Sequence, residues 1–413
     1  ILIFELIIRQ EEFLFTDKNS KMKIYVTGYG LISAIGVGEE ETLDALRNER
    51  TGINTGEKEE TKAYKVGEIA LSNDELKERF KLSTEGSRTA LLGMVAAKQA
   101  FEGHLLSDEI KTGLISGTSV GGMDISEQEY RNYLNGEKHN PENYKHHSSG
   151  VSSEQIAEEL GITDFINTIS TACSSAANAL MMGARMIRSG MLDRVVVGGT
   201  DSLTLFTISG FKSLMIFDAD WCKPFDNSRK GLNLGEGAGF LVLESEKSLS
   251  ISNKRPVALL SGWSNASDAF HQTASSPDGQ GAQLSMVEAL NVAGLKPSDI
   301  DYINAHGTAT PNNDLSESQA IKSIFKEAIP PFSSTKAFTG HTLAASGGIE
   351  AVFAILAINK GLLLPNLNFS NVIEETQLTP QLSFEEGKTV KHVLSNSFGF
   401  GGNNSTVILS RVD

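Results

Sequence analysis

Cysteine is nearly absent from this chain, with two in 413 residues. So few exclude a disulfide framework and fit a reducing compartment, which makes the cytoplasm the expected location. Positive charge is short as well: 36 Lys and Arg stand against 51 Asp and Glu, a net charge of −15. That balance excludes broad nucleic-acid binding, which needs a positive surface. It also requires any acidic partner to find a local basic patch. No stretch reaches the roughly 18–20 uncharged apolar residues that a membrane span needs. The opening Ile1-Leu2-Ile3-Phe4-Glu5-Leu6-Ile7-Ile8 is short, carries Glu5, and lacks both a basic flank and a small-residue cleavage site. It does not read as a signal peptide.

What is present is the ordinary composition of a globular protein, 40% hydrophobic and 21% charged. The length suffices for two domains or one duplicated one. Val- and Ile-rich strands alternate with helical stretches. Strands are expected at Lys23–Gly30, Gly113–Thr118, Arg194–Gly199 and Gly239–Leu243. Helices are expected at Glu39–Arg47, Ser87–Phe101, Ser152–Leu160, Gln283–Ala293, Ser316–Lys326 and Ile349–Lys360. Continuous apolar runs bounded by glycine indicate strands covered on both faces, as in α/β proteins.

The halves resemble each other. A polar turn and small-residue helix (Thr171–Arg188), a strand (Arg194–Gly198), a glycine-rich loop and a strand (Gly239–Glu244) follow in order. Thr339–Lys360, Val390–Ser395, Phe398–Asn404 and Ser405–Ser410 repeat that order. This is the pattern of a duplication. The expected division is 1–21 as an N-terminal extension or arm, 22–252 as the first half and 253–413 as the second.

Cys173 lies in Ser170-Thr171-Ala172-Cys173-Ser174-Ser175, a small-residue turn ahead of a helical run from Ala176 to Arg188. A thiol at a helix start is expected to favour its thiolate, and the following N–H groups can receive an oxyanion. Cys222 has no motif around it and reads as structural. Three polar turns in the second half carry further chemistry: Asn304-Ala305-His306-Gly307-Thr308-Ala309-Thr310, Ser334-Thr335-Lys336-Ala337-Phe338-Thr339-Gly340-His341, and Asn396-Ser397-Phe398-Gly399-Phe400-Gly401-Gly402-Asn403-Asn404. Cys173, His306 and His341 lack the close spacing of a metal site, and no metal is expected.

Together, Thr171-Ala172-Cys173-Ser174-Ser175, His306-Gly307-Thr308-Ala309-Thr310, Lys336 to His341 and Asn396 to Gly402 resemble the β-ketoacyl-acyl-carrier-protein synthases of type I/II. The resemblance runs from about Met22 to Leu409. It implies a thiolase-like α/β fold, with two duplicated βαβαβ halves in five αβαβα layers. It implies a decarboxylating Claisen condensation of an acyl chain on Cys173 with malonyl-acyl-carrier protein, in fatty acid elongation. His306 and His341 would hold the enolate oxygen, and Lys336, with Glu350 as partner, would hold the histidines electrostatically. Phe400 would gate the acyl pocket and share the oxyanion hole with Cys173. Thr308 and Thr310 would bind the phosphopantetheine that the carrier protein brings, no cofactor being tightly bound. Val120 would line the acyl pocket, Gly401 and Asn403 the glycine loop, and Asp314 would support the site.

Carrier docking is expected at Lys77, Arg79, Lys81, Lys223 and Arg229. A homodimer is expected through the strand at Arg194–Gly198, with a heterodimer as the alternative. Three positions depart from the family pattern: Asn403 where Thr is usual, Asn233 where an apolar residue is expected, and Lys223 where Arg is common. Rival readings are a ketosynthase of a type II polyketide or polyene pathway, a non-catalytic chain-length factor, and a thiolase. The chain-length factor is opposed by the intact Cys-His-His set. The thiolase is opposed by the lack of a cysteine in the C-terminal glycine loop.

Overall fold

A computed structural model describes residues 22–58 and 61–412. The expected extension at 1–21 lies outside the described residues. Ten strands form the two halves. The first half holds β1 (Tyr25–Ser33), β2 (Thr112–Gly117), β3 (Phe165–Ile169), β4 (Arg194–Asp201) and β5 (Gly237–Glu244). The second holds β6 (Ala258–Ser267), β7 (Tyr302–Asn304), β8 (Phe332–Ser333), β9 (His392–Gly399) and β10 (Asn403–Ser410). The order is β3-β2-β4-β5-β1 in one half and β8-β7-β9-β10-β6 in the other, and β1 meets β6 along a short antiparallel seam. Parallel and antiparallel pairings match strand for strand. The duplication read from the sequence is therefore a repeated topology.

The helices complete the layers. α1 (Arg88–Phe101), α2 (Met123–Leu134), α3 (Ser149–Leu160), α4 (Ser175–Arg188) and α5 (Leu205–Ser213) belong to the first half. α6 (Gln280–Ala293), α7 (Pro311–Phe325) and α8 (Ser346–Lys360) belong to the second. α1 and α3 cover one outer face, α6 and α7 the other, and α4 and α8 lie between the sheets. This is the five-layered α/β arrangement expected. A middle-layer helix has almost no solvent face, so α8 is buried from Ser346 to Ile358 and apolar there apart from Ser346 and Glu350. The segment Leu343–Lys360, which includes α8, is long and apolar enough to span a membrane by length and composition, but it carries Glu350 and Lys360, and 89% of it is buried inside the protein. Glycine makes the close packing possible. A Cβ on Gly239 would lie 2.3 Å from the Ile349 nitrogen, so only glycine lets α8 touch β5.

β4 corrects one expectation. It was to pair across a two-fold axis, but β2 and β5 flank it and all eight of its residues are buried. It has no free edge to offer. The free edge of that half is β3, bonded only to β2, with Ile166 exposed.

Candidate active site

The site collects the loops that follow strand C-termini. Cys173 lies between β3 and α4, and His341 lies between β8 and α8, so the two occupy equivalent places in the two halves. His306 follows β7, and Phe400 sits in the turn between β9 and β10. The nucleophile turn is tight: Ala172 takes φ +52, and Ser175 Oγ and Ser174 Oγ bond back to the carbonyls of Ala172 and Thr171. That turn points the thiol inward at the start of α4.

Cys173 Sγ lies 3.0 Å from His341 Nε2. The His306 and His341 rings meet edge to face at 5.4 Å. His341 Nδ1 bonds Ser346 Oγ at 3.0 Å, and that hydroxyl serves either tautomer, accepting from Nδ1–H or donating to a bare Nδ1. Lys336 Nζ donates to the His306 carbonyl at 2.6 Å and to Glu350. The lysine is 2% exposed, so it is no surface residue. The Glu350 partnership read from the sequence is present.

Burial and the Lys336 ammonium set the charges. Both imidazoles are held well below the usual histidine range, by burial first and by Lys336 second. They are neutral at neutral pH. Burial pushes the Cys173 thiol up to about 12, against the pull of Lys336 and of the N–H groups of Cys173 and Phe400. This corrects the expected thiolate. A helix terminus contributes a partial charge, whereas full desolvation penalises the whole anion. The resting pair is a thiol facing a neutral imidazole.

A cavity leads to this centre. Cys173, His306, His341, Thr308, Thr310 and Phe400 line it, together with Phe211, Ile216 and Leu232, which sequence reasoning missed. Phe400 stacks on Phe211 with centroids 5.7 Å apart. Thr308 and Thr310 bond each other through their hydroxyls at 2.9 Å. Val120 does not line this cavity. It is packed in the apolar cluster that includes Leu203, Ile208, Leu232 and Leu343. Gly401 takes φ +86 in the turn behind Phe400, and the Asn403 side chain points towards α4.

Two buried carboxylates brace the His306 loop. Asp314 accepts from the Phe225 and Ala309 nitrogens, and Glu317 accepts from the His306 and Gly307 nitrogens. Glu317 was not singled out. Its signal was available: Asp314 and Glu317 are three apart on α7 and so share a face.

The expected docking set disperses. Lys77 is paired with Asp74 and Glu85, and Arg79 with Glu41. Lys81 is exposed at the left-handed end of the short helix Asn73–Phe80. Lys223 is half-buried. Arg229 turns its guanidinium onto the carbonyls of Asp226, Thr310 and Pro311, bracing the cavity mouth. Two lysines were not singled out, Lys212, which follows the cavity-lining Phe211 in the chain, and Lys65. Lys65 lies 3.9 Å above the Trp221 ring and Lys212 5.1 Å above Tyr64.

Two matched halves meeting at a buried Cys-His-His centre define a thiolase-like condensing enzyme. Profiles of the beta-ketoacyl synthase N-terminal and C-terminal domains match residues 21–248 and 257–370. The 3-oxoacyl-acyl-carrier-protein synthase 2 of Staphylococcus aureus (strain MRSA252) is 30% identical over 412 residues, covering 96% of this chain and 100% of that protein. Its namesake from Synechocystis is 32% identical over 415 residues, covering 95% and 98%. Among solved structures, the ishigamide ketosynthase/chain length factor is 29% identical with a TM-score of 0.87, over 95% of this chain and 100% of that one. A ketosynthase in complex with its chain length factor from Xenorhabdus doucetiae is 31% identical with a TM-score of 0.81, over 96% and 100%. The chain belongs to the beta-ketoacyl synthase family, and it is a condensing acyltransferase.

Proposed function

We propose that this enzyme elongates fatty acyl chains held on acyl carrier protein. The 3.0 Å contact between Cys173 Sγ and His341 Nε2 carries the reading. The thiol gives its proton to His341 as sulfur attacks the acyl thioester, and His341 passes it to the departing pantetheine sulfur. The N–H groups of Cys173 and Phe400 take the tetrahedral oxyanion. Malonyl-carrier protein then loses CO₂. With His341 returned to its Nε2–H tautomer by proton exchange with solvent, the two neutral histidines donate from Nε2 to the enolate oxygen, and the enolate carbon attacks acyl-Cys173. This yields the 3-oxoacyl carrier thioester, and the departing Cys173 thiolate takes one proton from solvent to regenerate the thiol. Thr308 and Thr310 hydrogen-bond the carrier's phosphopantetheine, and no resident cofactor or metal takes part.

The carrier docks at Lys65 and Lys212, the latter next to the cavity-lining Phe211 in the chain. Neither lysine is ion-paired among the described residues, so both keep charge for an acidic partner. The enzyme is a homodimer through the free edge of β3, in the cytoplasm, as two free cysteines suggest. A second reading, a polyketide or polyene ketosynthase beside a chain-length factor, is compatible with the likeness to such complexes.

Intact mass spectrometry decides between them. With a mixture of loaded carriers, Cys173 should take saturated acyl chains and release one-step 3-oxoacyl product. Accumulated poly-β-keto or polyene chains would favour the second reading. No acyl adduct at Cys173 would overturn both.

A further inference from the structure

The oxyanion hole is built from two separate halves of the molecule. The Cys173 N–H comes from the turn before α4, and the Phe400 N–H from the turn between β9 and β10. Two donors help only when their spacing is fixed before the oxyanion forms. The glycine turn is poorly equipped to fix itself. Gly399, Phe400, Gly401 and Gly402 offer no polar side chain, and Gly401 and Gly402 take φ +86 and +75. Backbone bonds tie the turn to the loop on its far side, Gly401 N to the Gln272 carbonyl at 2.7 Å and Asp268 N to the Gly402 carbonyl at 2.9 Å. Those bonds do not reach the nucleophile.

Asn403 does reach it. Its Oδ1 accepts from Asn178 Nδ2 at 3.0 Å and from Asn265 Nδ2 at 2.6 Å, and at 2.6 Å it shares the Ser174 hydroxyl proton with the Thr171 carbonyl. Ser174 is the residue after the nucleophile, Asn178 lies in the first turns of α4, and Asn265 belongs to β6. The donors are themselves linked. Asn265 Nδ2 also bonds Asn178 Oδ1 and Ser405 Oγ, and Ser405 Oγ donates to Asn178 Oδ1. Gly399 lies flat against the same turn, where a Cβ would sit 2.9 Å from the Thr171 carbonyl oxygen.

We propose that Asn403 is a positioning residue for acyl transfer, joining the glycine turn to the nucleophile helix so that the Phe400 N–H stays aligned with Cys173. An acceptor with three donors from α4 and β6 makes the two turns one unit. The threonine usual in the family at this position offers a single hydroxyl oxygen on a shorter arm, so this chain uses a different brace. The inference rests on Cys173 being the acylated residue.

Because the histidines serve the enolate and the two N–H groups serve the acyl carbonyl, the steps separate. Asn403→Ala should slow single-turnover acylation of Cys173 by an acyl-pantetheine thioester by about 10²-fold, the scale of a misplacement near 1 Å. Malonyl-thioester decarboxylation, read in a Cys173→Gln background, should fall far less. Asn403→Asp keeps an acceptor oxygen for Ser174, Asn178 and Asn265, and should recover most of the acylation rate. Acylation of Asn403→Ala at the wild-type rate would overturn the proposal. So would an equal loss in both steps with no recovery by Asn403→Asp, since that marks a merely structural role. Failure of the wild type to acylate Cys173 would instead remove the reading beneath it.

Discussion

Burial sets the charge state of the catalytic groups first, and Lys336 adjusts it second. Buried and bonded to Glu350, its ammonium opposes protonation of both histidines and lowers the burden of a thiolate on Cys173. Folded histidines with lowered pKa stay neutral as pH falls through 6.5, while unfolded ones protonate there. Acid below that pH therefore favours the unfolded chain, and the folded catalyst keeps its donors. Malonyl decarboxylation by Cys173→Gln should show no fall as pH passes the ordinary histidine value of 6.5, because both imidazoles are held well below it, by burial first and by Lys336 second. A rate that halves near pH 6.5 would contradict this. The histidines should also differ. Each →Ala change should cost decarboxylation on the order of 10²–10³. Only His341→Ala should also slow Cys173 acylation, because only His341 touches the sulfur. Equal acylation rates in the two variants, read by mass spectrometry, would remove the proton-transfer role of His341.

At the scale of elements, most of the fold was legible because buried strands and inner helices write themselves in apolar residues. β4 and β5 are Val-, Leu- and Gly-rich and wholly buried, and their positions follow from composition. Helix starts were read late. α7 begins at Pro311 and α6 at Gln280, ahead of the expected Ser316 and Gln283, because polar first turns carry no apolar period. β3 was missed, since Phe165-Ile166-Asn167-Thr168-Ile169 is short and half-exposed. The catalytic centre was legible through its motifs, while its braces were not. Ser346 and Phe211 act through contacts that only the fold creates, while the spacing of Glu317 from Asp314 was a signal left unread. The partners of the expected docking residues were equally hidden: Arg79 finds Glu41, 38 residues away in sequence, and that surface pair offsets part of its field. Reversing Lys77 and Arg79 to Glu should therefore leave KM for carrier-bound substrate little changed. Reversing Lys65 and Lys212 should raise it, steeply at low salt, while small pantetheine thioesters turn over as before. A KM that responds to the first pair and ignores the second would return the docking site to the helix Asn73–Phe80.

The whole molecule is a repeat with one open end on each side. Ten strands run in order from β8 to β3, and among the described residues these two end that path. β8 has two residues, too few to template another strand. β3 has five, with Ile166 39% exposed and the remaining four residues only partly buried or exposed. An edge of that length, apolar and without Lys or Pro to protect it, needs a cover. A second copy supplies one most simply. Two β3 strands antiparallel about a two-fold axis place each residue opposite its own copy's neighbour, a closed and self-complementary contact. The sheets of the two protomers would then continue into one. Light scattering of the wild type at micromolar concentration should give twice the 44.4 kDa chain mass. Ile166→Arg puts two like charges across that axis and should shift the mass towards a single chain, while Arg194→Ala, inside the sheet, should unfold before it dissociates. A wild-type mass of one chain, or an Ile166→Arg dimer as tight as the wild type, would place the interface off β3.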